Sequence, residues 1–368
     1  MSMKITAAVL YSPNRRFELK QLELAPPQSG EVLVKVAAAG VCHSDWHLAT
    51  GATAHNFPVV AGHEGAGLVE AVGEGVTRIQ PGDHVALNWA PNCGTCFYCL
   101  HERPSLCGTY VGSIWDGTMM DGTTRLSENG QPVYHFSATA CFAEYTVVPQ
   151  ESCVLLDKKI PLPIAALIGC AVTTGVGAVI NTAKVRPGSS VAVFGAGGVG
   201  LSIIMGAKLV GAKQIIAIDQ NESKRAIAQS FGATDTLLAG PDVVTAIRDL
   251  TEGRGADYLF EAIGLPAVQE KCLEAVRPGG LVVLTGLAPM GSSTDFPGSI
   301  IVRQEKTVTG SYYGSMNPVR DFTLYGELYL QGKLDLDRLV SKKYTLSQIN
   351  EAYQAMLSGD LARGVILF

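Results

Sequence analysis

Ser190-Val-Ala-Val-Phe194-Gly195-Ala-Gly197-Gly198-Val199-Gly200 joins a short β-branched run to a glycine turn, and helically spaced apolar residues continue from Leu201 to Leu209. A second apolar run, Ile215 to Ile218, follows and ends in Asp219. This is GxGxxG between a strand and a helix, the setting in which it binds a dinucleotide. Bare glycine permits the tight turn, the backbone's approach to a pyrophosphate and close helix-to-sheet packing, while the helix N-terminus offers free N–H donors and partial positive charge. By itself the motif could be a plain glycine-rich turn; strand, helix and trailing acid together select the binding reading. Asp219 trails the last glycine by the spacing at which an acid accepts the ribose hydroxyls and repels a 2′-phosphate, so NAD is expected over NADP. Lys224, in the stretch just after it, is a candidate ribose contact, with a solvated surface lysine as its bland alternative.

Outward from this stretch, Tyr258 to Phe260 and Leu281 to Leu284 are further apolar runs separated by helical pattern, so this half is expected to form a parallel, doubly wound sheet. The first 150 residues or so read differently. Val32, Val34 and Val36 alternate, Gly65 to Val72 and Asp83 to Leu87 are apolar, and glycine-rich turns divide them, which describes an irregular β-rich domain. Beyond about residue 313, Ile349, Ala352, Tyr353 and Met356 follow helical spacing before strand-like Gly364 to Phe368. The class is α/β with two domains, as 368 residues allow.

Composition narrows the function. Charged residues are only 17% of the chain and the net charge is −5, with no Lys/Arg run to attract nucleic acid or anionic lipid. The N-terminus lacks a signal-peptide pattern, and a cytoplasmic protein is expected. Ile160 to Ala183 and Pro187 to Ala207 are charge-free and long enough to span a bilayer, but prolines and polar residues in the first and six glycines in the second favour buried segments of a globular fold. No membrane partner is expected.

Nine cysteines are the remaining anomaly, and an odd number without a secretory signal argues for metal binding or catalysis over disulfides. Cys93-x2-Cys96-x2-Cys99-x7-Cys107 gathers four thiols in one short segment. Zinc in a closed tetrahedral site is favoured over an iron–sulfur cluster by the long last gap and the missing Cys-Pro. Three other elements are less local: Cys42-His43-Ser44-Asp45-Trp46-His47, Gly62-His63-Glu64-Gly65, and Cys170 in an apolar run. Taken singly, each could be an ordinary packing or surface residue.

Together and in this order, with Asp121-Gly-Thr-Thr-Arg125, Tyr145-Thr-Val-Val148 and Ser358-Gly-Asp-Leu-Ala-Arg363, these elements resemble the zinc-dependent medium-chain alcohol dehydrogenases, in the long form that includes liver-type and glutathione-dependent formaldehyde dehydrogenases. The resemblance covers essentially the whole chain. It implies a GroES-like catalytic domain over 1–172 with a zinc lobe at about 89–108, a Rossmann NAD-binding domain over 173–313, and a return to the first domain over 314–368. It also implies NAD and two zinc ions per subunit. Cys42, His63 and Cys170 would ligate the catalytic ion; Cys93, Cys96, Cys99 and Cys107 the structural one. Asp45 would orient His63, Glu64 would lie behind the metal, and Ser44 would take the alcohol proton and relay it to His47. His43 and Arg363 correspond to pyrophosphate contacts, and Thr174 and Val199 to residues packing on the nicotinamide. Cys141, Cys153 and Cys272 receive no role beyond packing.

The expected reaction is reversible hydride transfer between a primary alcohol, aliphatic or aromatic, and NAD. Val111 stands where glutathione-dependent relatives carry an arginine, and Gly51 to Phe57 lacks the acids of their matching loop, so a charged thiol adduct is disfavoured. An enzyme using another thiol adduct of formaldehyde is the alternative, and a non-catalytic zinc- and NAD-binding relative a third. Trp89, at a position that is aromatic in many relatives, would narrow the pocket towards flat or unbranched primary alcohols, if it is not simply a core residue. The long segment between Cys107 and Phe142, with apolar Val308 to Tyr313 as a sheet-joining strand, implies a homodimer.

Overall fold

The computed structural model describes residues 2–359 and 361–368. The chain divides into two compact units, one of residues up to 170 with 317–332 and 336–368, the other of residues 171–316 and 333–335.

In the second unit six strands run parallel: β1 (Ser190–Phe194), β2 (Gln214–Asp219), β3 (Asp235–Leu238), β4 (Ala256–Glu261), β5 (Val276–Leu284) and β6 (Thr307–Gly310). Their order is 3-2-1-4-5-6, with the switch of direction between β1 and β4. Crossover helices such as Gly198–Leu209 and Pro266–Ala275 connect them. Because these helices cover the sheet, Ala192, Phe194, Ile216, Ile218, Leu259 and Val282 are all buried, which explains apolar runs that do not alternate. Strand β3, Asp-Thr-Leu-Leu, escapes the sequence reading because it is short, opens on a charge and is only half-buried along most of its length.

The first unit holds two β layers. Met3–Leu10, Glu18–Leu24, Leu126–Glu128, Gln131–His135 and Val59–Val60 close into a barrel. A seven-stranded sheet is centred on Glu31–Gly40, flanked by Glu64–Val72, Tyr145–Pro149 and the C-terminal Arg363–Leu367. One described helical stretch, Leu162–Ala183, is long and apolar enough to cross a bilayer, yet 89% of its apolar window is buried inside the protein. The helix Ile349–Ser358 buries Ile349, Ala352 and Tyr353, the face its periodicity marks.

The Asp121–Arg125 segment ties barrel to sheet within this unit. Arg125 donates to both oxygens of buried Glu31, at 2.8 and 2.5 Å, and to Asp121 at 2.8 Å. A guanidinium so enclosed needs this bidentate pairing to offset its desolvation. The Arg125 backbone N–H donates to His135 Nε2 at 3.1 Å, which requires that nitrogen to be unprotonated. Burial, reinforced by the Arg125 charge, pushes His135 down to about 3. A histidine held below its unfolded value, near 6.5, contributes stability that is complete above that value and lost as pH falls towards about 3. Acid titration of unfolding should therefore show a slope of about 1.4 kcal/mol per pH unit from this group over that window. His135→Gln should flatten it, and an unchanged slope would remove His135 from the acid response.

Candidate active site

Register brings the candidate ligands together. Glu31–Gly40 pairs antiparallel with Glu64–Val72, Gly40 opposite Glu64, so the chain leaving one strand through Cys42 runs beside the chain entering the other through His63. Arg363–Leu367 pairs with the first strand on its other side, Val365 opposite Gly40, and delivers Arg363 to the same end. Cys170 comes from a π-helical turn, Ile168–Val172, between the α-helical Leu162–Leu167 and Thr173–Gly177. Such turns interrupt helices at functional sites more often than elsewhere. Gly169 allows the approach, since a Cβ there would lie 2.8 Å from the Leu87 carbonyl oxygen. Ligand atoms of Cys42, His63, Glu64 and Cys170 all lie within 4.8 Å of one another, and all four residues are buried.

Asp45 organises this cluster from the helix His43–Thr50, where it is fully buried. Its Oδ1 accepts the Gly62 N–H at 2.9 Å and faces His63 Nδ1 at 3.1 Å. The proton is thereby placed on Nδ1, and Nε2, buried and with no hydrogen-bond partner, presents its lone pair to the cluster. An orphaned imidazole nitrogen among two thiols fits a zinc ion, and two thiolates with one imidazole is the ligand set known for alcohol dehydrogenase zinc. Titration follows the crowding. Burial opposes a charge on His63, but the charges of Asp45 and Cys42 hold its pKa well above the ordinary value, so a zinc ion at Nε2 would take the place of a proton there. Cys42 is held well below the ordinary thiol range, first by a hydrogen bond from Cys170 and then, against burial, by Arg363 and His63; the same bond and burial hold Cys170 high. Burial pushes Glu64 up to about 8 despite its ion pair with Arg363.

Arg363, for which a pyrophosphate contact is expected, lies beside the cluster. It is 6% exposed and directed inward, pairing with Glu64 and donating to the Val41 carbonyl at 3.0 Å. The reason is topological: strand pairing buries its side chain behind the cluster, where it balances Glu64 and the thiols. Ser44 is half-buried, its Oγ 3.8 Å from Cys42 Sγ. His47 is half-buried one helical turn on, and His43 is exposed at the start of the same helix. Trp89 meets His63 edge to face at 6.3 Å. Phe136 makes a second such contact at 5.9 Å. No sequence signal marked Phe136, which lies in no motif and reaches His63 only through the fold.

The four-cysteine lobe is built locally. Cys93, Cys96, Cys99 and Cys107 bring their sulfurs within 4.8 Å of one another. Backbone N–H groups of Thr95 and Cys96 donate to Cys93 Sγ at 3.4 and 3.3 Å, and the Cys93 N–H donates to Cys107 Sγ at 3.3 Å. These bonds stabilise thiolates. The Thr109 hydroxyl, 3.1 Å away, is the largest influence lowering Cys93 to about 5. The other three cysteines are all buried and lie in neither group.

In the second unit the glycine turn sits at the carboxyl end of β1. Gly195 has φ +98°, a Cβ on Gly200 would fall 1.7 Å from the Gly195 carbonyl oxygen, and Gly197 has nothing within 4 Å of its Cβ position. Tight turn, close packing and open approach are thus divided among three glycines. Gly198 and Val199 begin the helix Gly198–Leu209, capped by Gly197. Asp219 ends β2, its Oδ2 accepting the Ala196 N–H at 2.8 Å and its Oδ1 the Asn221 N–H at 2.9 Å. Lys224 is half-buried in the next helix, and Thr174 is buried in Thr173–Gly177.

Residues 28–158 match the alcohol dehydrogenase GroES-like domain and residues 198–328 the zinc-binding dehydrogenase domain. The NDMA-dependent alcohol dehydrogenase of Amycolatopsis methanolica is 40% identical over 368 residues, covering 99% of both chains. Among solved structures, an alcohol dehydrogenase zinc-binding domain protein from Burkholderia ambifaria superposes with TM-score 0.96 at 36% identity over 100% of both chains. Benzyl alcohol dehydrogenase from Acinetobacter calcoaceticus superposes with TM-score 0.95 at 34% identity, over 100% of this chain and 99% of its own.

Elemental analysis of the purified protein should return about two zinc ions per chain, one for each cluster. Cys99→Ser should lose the lobe ion and keep the other. Loss of both ions, or a brown protein with visible charge-transfer absorption, would contradict two separate zinc sites.

Proposed function

The chain belongs to the zinc-dependent medium-chain alcohol dehydrogenases, and from that premise we propose that it oxidises primary alcohols, aryl-substituted ones in particular, with NAD as hydride acceptor, and reduces the aldehydes in reverse. The observation that carries this reading is the pairing of the Cys42, His63 and Cys170 cluster with two aromatic rings, Trp89 and Phe136, set edge-on to His63. Edge-to-face packing of that kind suits a flat, unbranched carbon next to the reacting hydroxyl. The benzyl alcohol dehydrogenase relative supports the same class.

Cys42, His63 and Cys170 would hold the zinc ion, which when bound supplies a Lewis acid that lowers the pKa of an alcohol hydroxyl. Asp45 keeps His63 in the tautomer that can ligate. Ser44, beside Cys42 Sγ, accepts the hydroxyl proton and passes it to His47, on the same face of the helix one turn on. Glu64 and Arg363 form a buried ion pair that balances charge behind the thiols. In the other unit the Gly195–Gly200 turn receives the pyrophosphate, Asp219 takes the ribose hydroxyls, and its charge disfavours a 2′-phosphate. The NDMA-dependent relative supports a second reading of the acceptor alone, in which turnover of this chain requires NDMA.

The test is a panel of benzyl alcohol, cinnamyl alcohol, a linear alkanol and a secondary alcohol, each with NAD, NADP or NDMA. Benzyl and cinnamyl alcohol with NAD should be oxidised fastest, and faster oxidation of the secondary alcohol would contradict the narrow aromatic pocket. Turnover with NDMA but not with NAD would favour the second reading. Ser44→Ala should depress kcat by about 10²–10⁴-fold with NAD affinity unchanged, and full turnover would remove Ser44 from the proton path.

A further inference from the structure

We propose that Thr139 is a positioning residue for the metal ligand His63, acting through the Gly62 carbonyl from a strained turn over residues 136–141. The proposal rests on the reading of Cys42, His63 and Cys170 as zinc ligands. Ser137, Ala138 and Ala140 have φ of +53°, +54° and +46°, a left-handed conformation unfavourable for residues with a Cβ. All are buried, and Thr139 between them returns to φ −123°. Such a cluster persists only where its surroundings over-determine it, and it is concentrated at functional sites.

The contacts of the turn converge on the peptide that precedes His63. The Thr139 hydroxyl donates to the Gly62 carbonyl at 2.9 Å and the Cys141 N–H donates to the same oxygen at 3.0 Å, occupying both lone pairs. A second carbonyl, that of Phe136, lies 3.1 Å from the Thr139 hydroxyl, which has one proton to give; the shorter bond is the one that crosses from residue 139 to residue 62. From behind, the Thr146 hydroxyl donates to the Thr139 carbonyl at 2.6 Å. At the opposite end of Gly62 its N–H is bound by Asp45 Oδ1, the atom that also faces His63 Nδ1. Gly62 is thus held by its N–H and its carbonyl at once, with φ +91° and a Cβ position only 2.7 Å from the Phe142 nitrogen. The turn also begins with Phe136, whose ring abuts the His63 ring. Loss of the Thr139 bond would leave the Gly62 carbonyl on the Cys141 N–H alone, a looser hold that lets Gly62 and His63 shift from Asp45 and weakens the fixed direction of the imidazole.

The four-cysteine lobe is the comparison site: none of these hydrogen bonds ends on it, although Ala138 of the turn packs in one apolar cluster with Cys107. Both sites would be loaded with cobalt(II), whose absorption differs between four thiolates and two thiolates with an imidazole, and release to a chelator followed at each. Thr139→Val removes the hydroxyl at nearly constant volume; it should release the metal at Cys42, His63 and Cys170 about tenfold faster, the scale seen when groups orienting metal ligands are lost. Lobe metal should leave at the parental rate, and Thr139→Ser should restore retention. Parental release rates at both sites in Thr139→Val would overturn the proposal, as would equal acceleration at both sites with a lowered Tm, the mark of general destabilisation. If Thr139→Val does not fold, Thr146→Val, which frees the Thr139 carbonyl, takes its place with the same two outcomes. A parent that binds metal only in the lobe would sink the reading of the site itself, and the proposal with it.

Discussion

One oxygen atom, Asp45 Oδ1, sets the geometry on which the metal cluster depends. It accepts the Gly62 N–H and engages His63 Nδ1, so it fixes both the backbone entering the turn and the direction of the ring beyond it. Its partners lie 17 and 18 residues away in sequence, on the chain that enters the strand Glu64–Val72, and that strand pairs with the one leading into the Asp45 helix. A carboxylate buried this completely is costly unless several donors meet it, and the arrangement is accordingly intolerant of change: removal of either donor strands a charge in a dry interior. Stability and chemistry are coupled at this atom, because the interaction that pairs Oδ1 of the acid also directs His63 Nε2 towards the thiols.

The surrounding charges explain why the cluster suits a dication. Two thiolates, Asp45 and Glu64 would bring four negative charges into one buried volume against the single positive charge of Arg363. Such a set resists full ionisation: burial first, with the charges of Cys42 and Asp45 after it, raises Glu64 to about 8, and the hydrogen bond with Cys42, with burial, holds Cys170 above the ordinary thiol range. A divalent cation together with Arg363 would reduce the excess to about one charge, within reach of the surrounding backbone N–H donors. The inward direction of Arg363 has the same cause. Its guanidinium answers a buried acid, Glu64, at the end of the strand that pairs beside Gly40.

Legibility in the sequence followed the range of the contacts. The glycine turn could be read because strand, turn, helix and acid occupy one continuous stretch, from Ser190 to Asp219, and each glycine meets a local requirement. Parallel strands β1, β2, β4 and β5 could be read because each contains a short, largely buried apolar run, whereas β3, half-exposed and opening on Asp235, offered none. Phe136, Thr139 and the inward turn of Arg363 were invisible for a different reason. Their contacts span 77 residues from Thr139 to Gly62 and 299 from Arg363 to Glu64, and no local period encodes a partner at that distance.

The two metal clusters show the same distinction in chemical form. In the lobe, all four ligands fall in the short stretch from Cys93 to Cys107, and the N–H groups that stabilise the sulfurs belong to the same loop, so ligand spacing nearly specifies the site. The other cluster takes its ligands from a helix entry, a strand entry and a π-helical turn, and its supporting groups from residues 45, 139, 141 and 363. A closed structural site can be local because it needs only to staple a loop. A site that must keep one position open for a substrate has to hold three ligands rigid without a fourth to complete the cage, and that rigidity has to come from outside the ligand set. The strained turn at residues 137–140 is consistent with this demand: backbone that no short-range preference favours is held in place by buried hydrogen bonds, and those bonds end on the peptide that carries the imidazole.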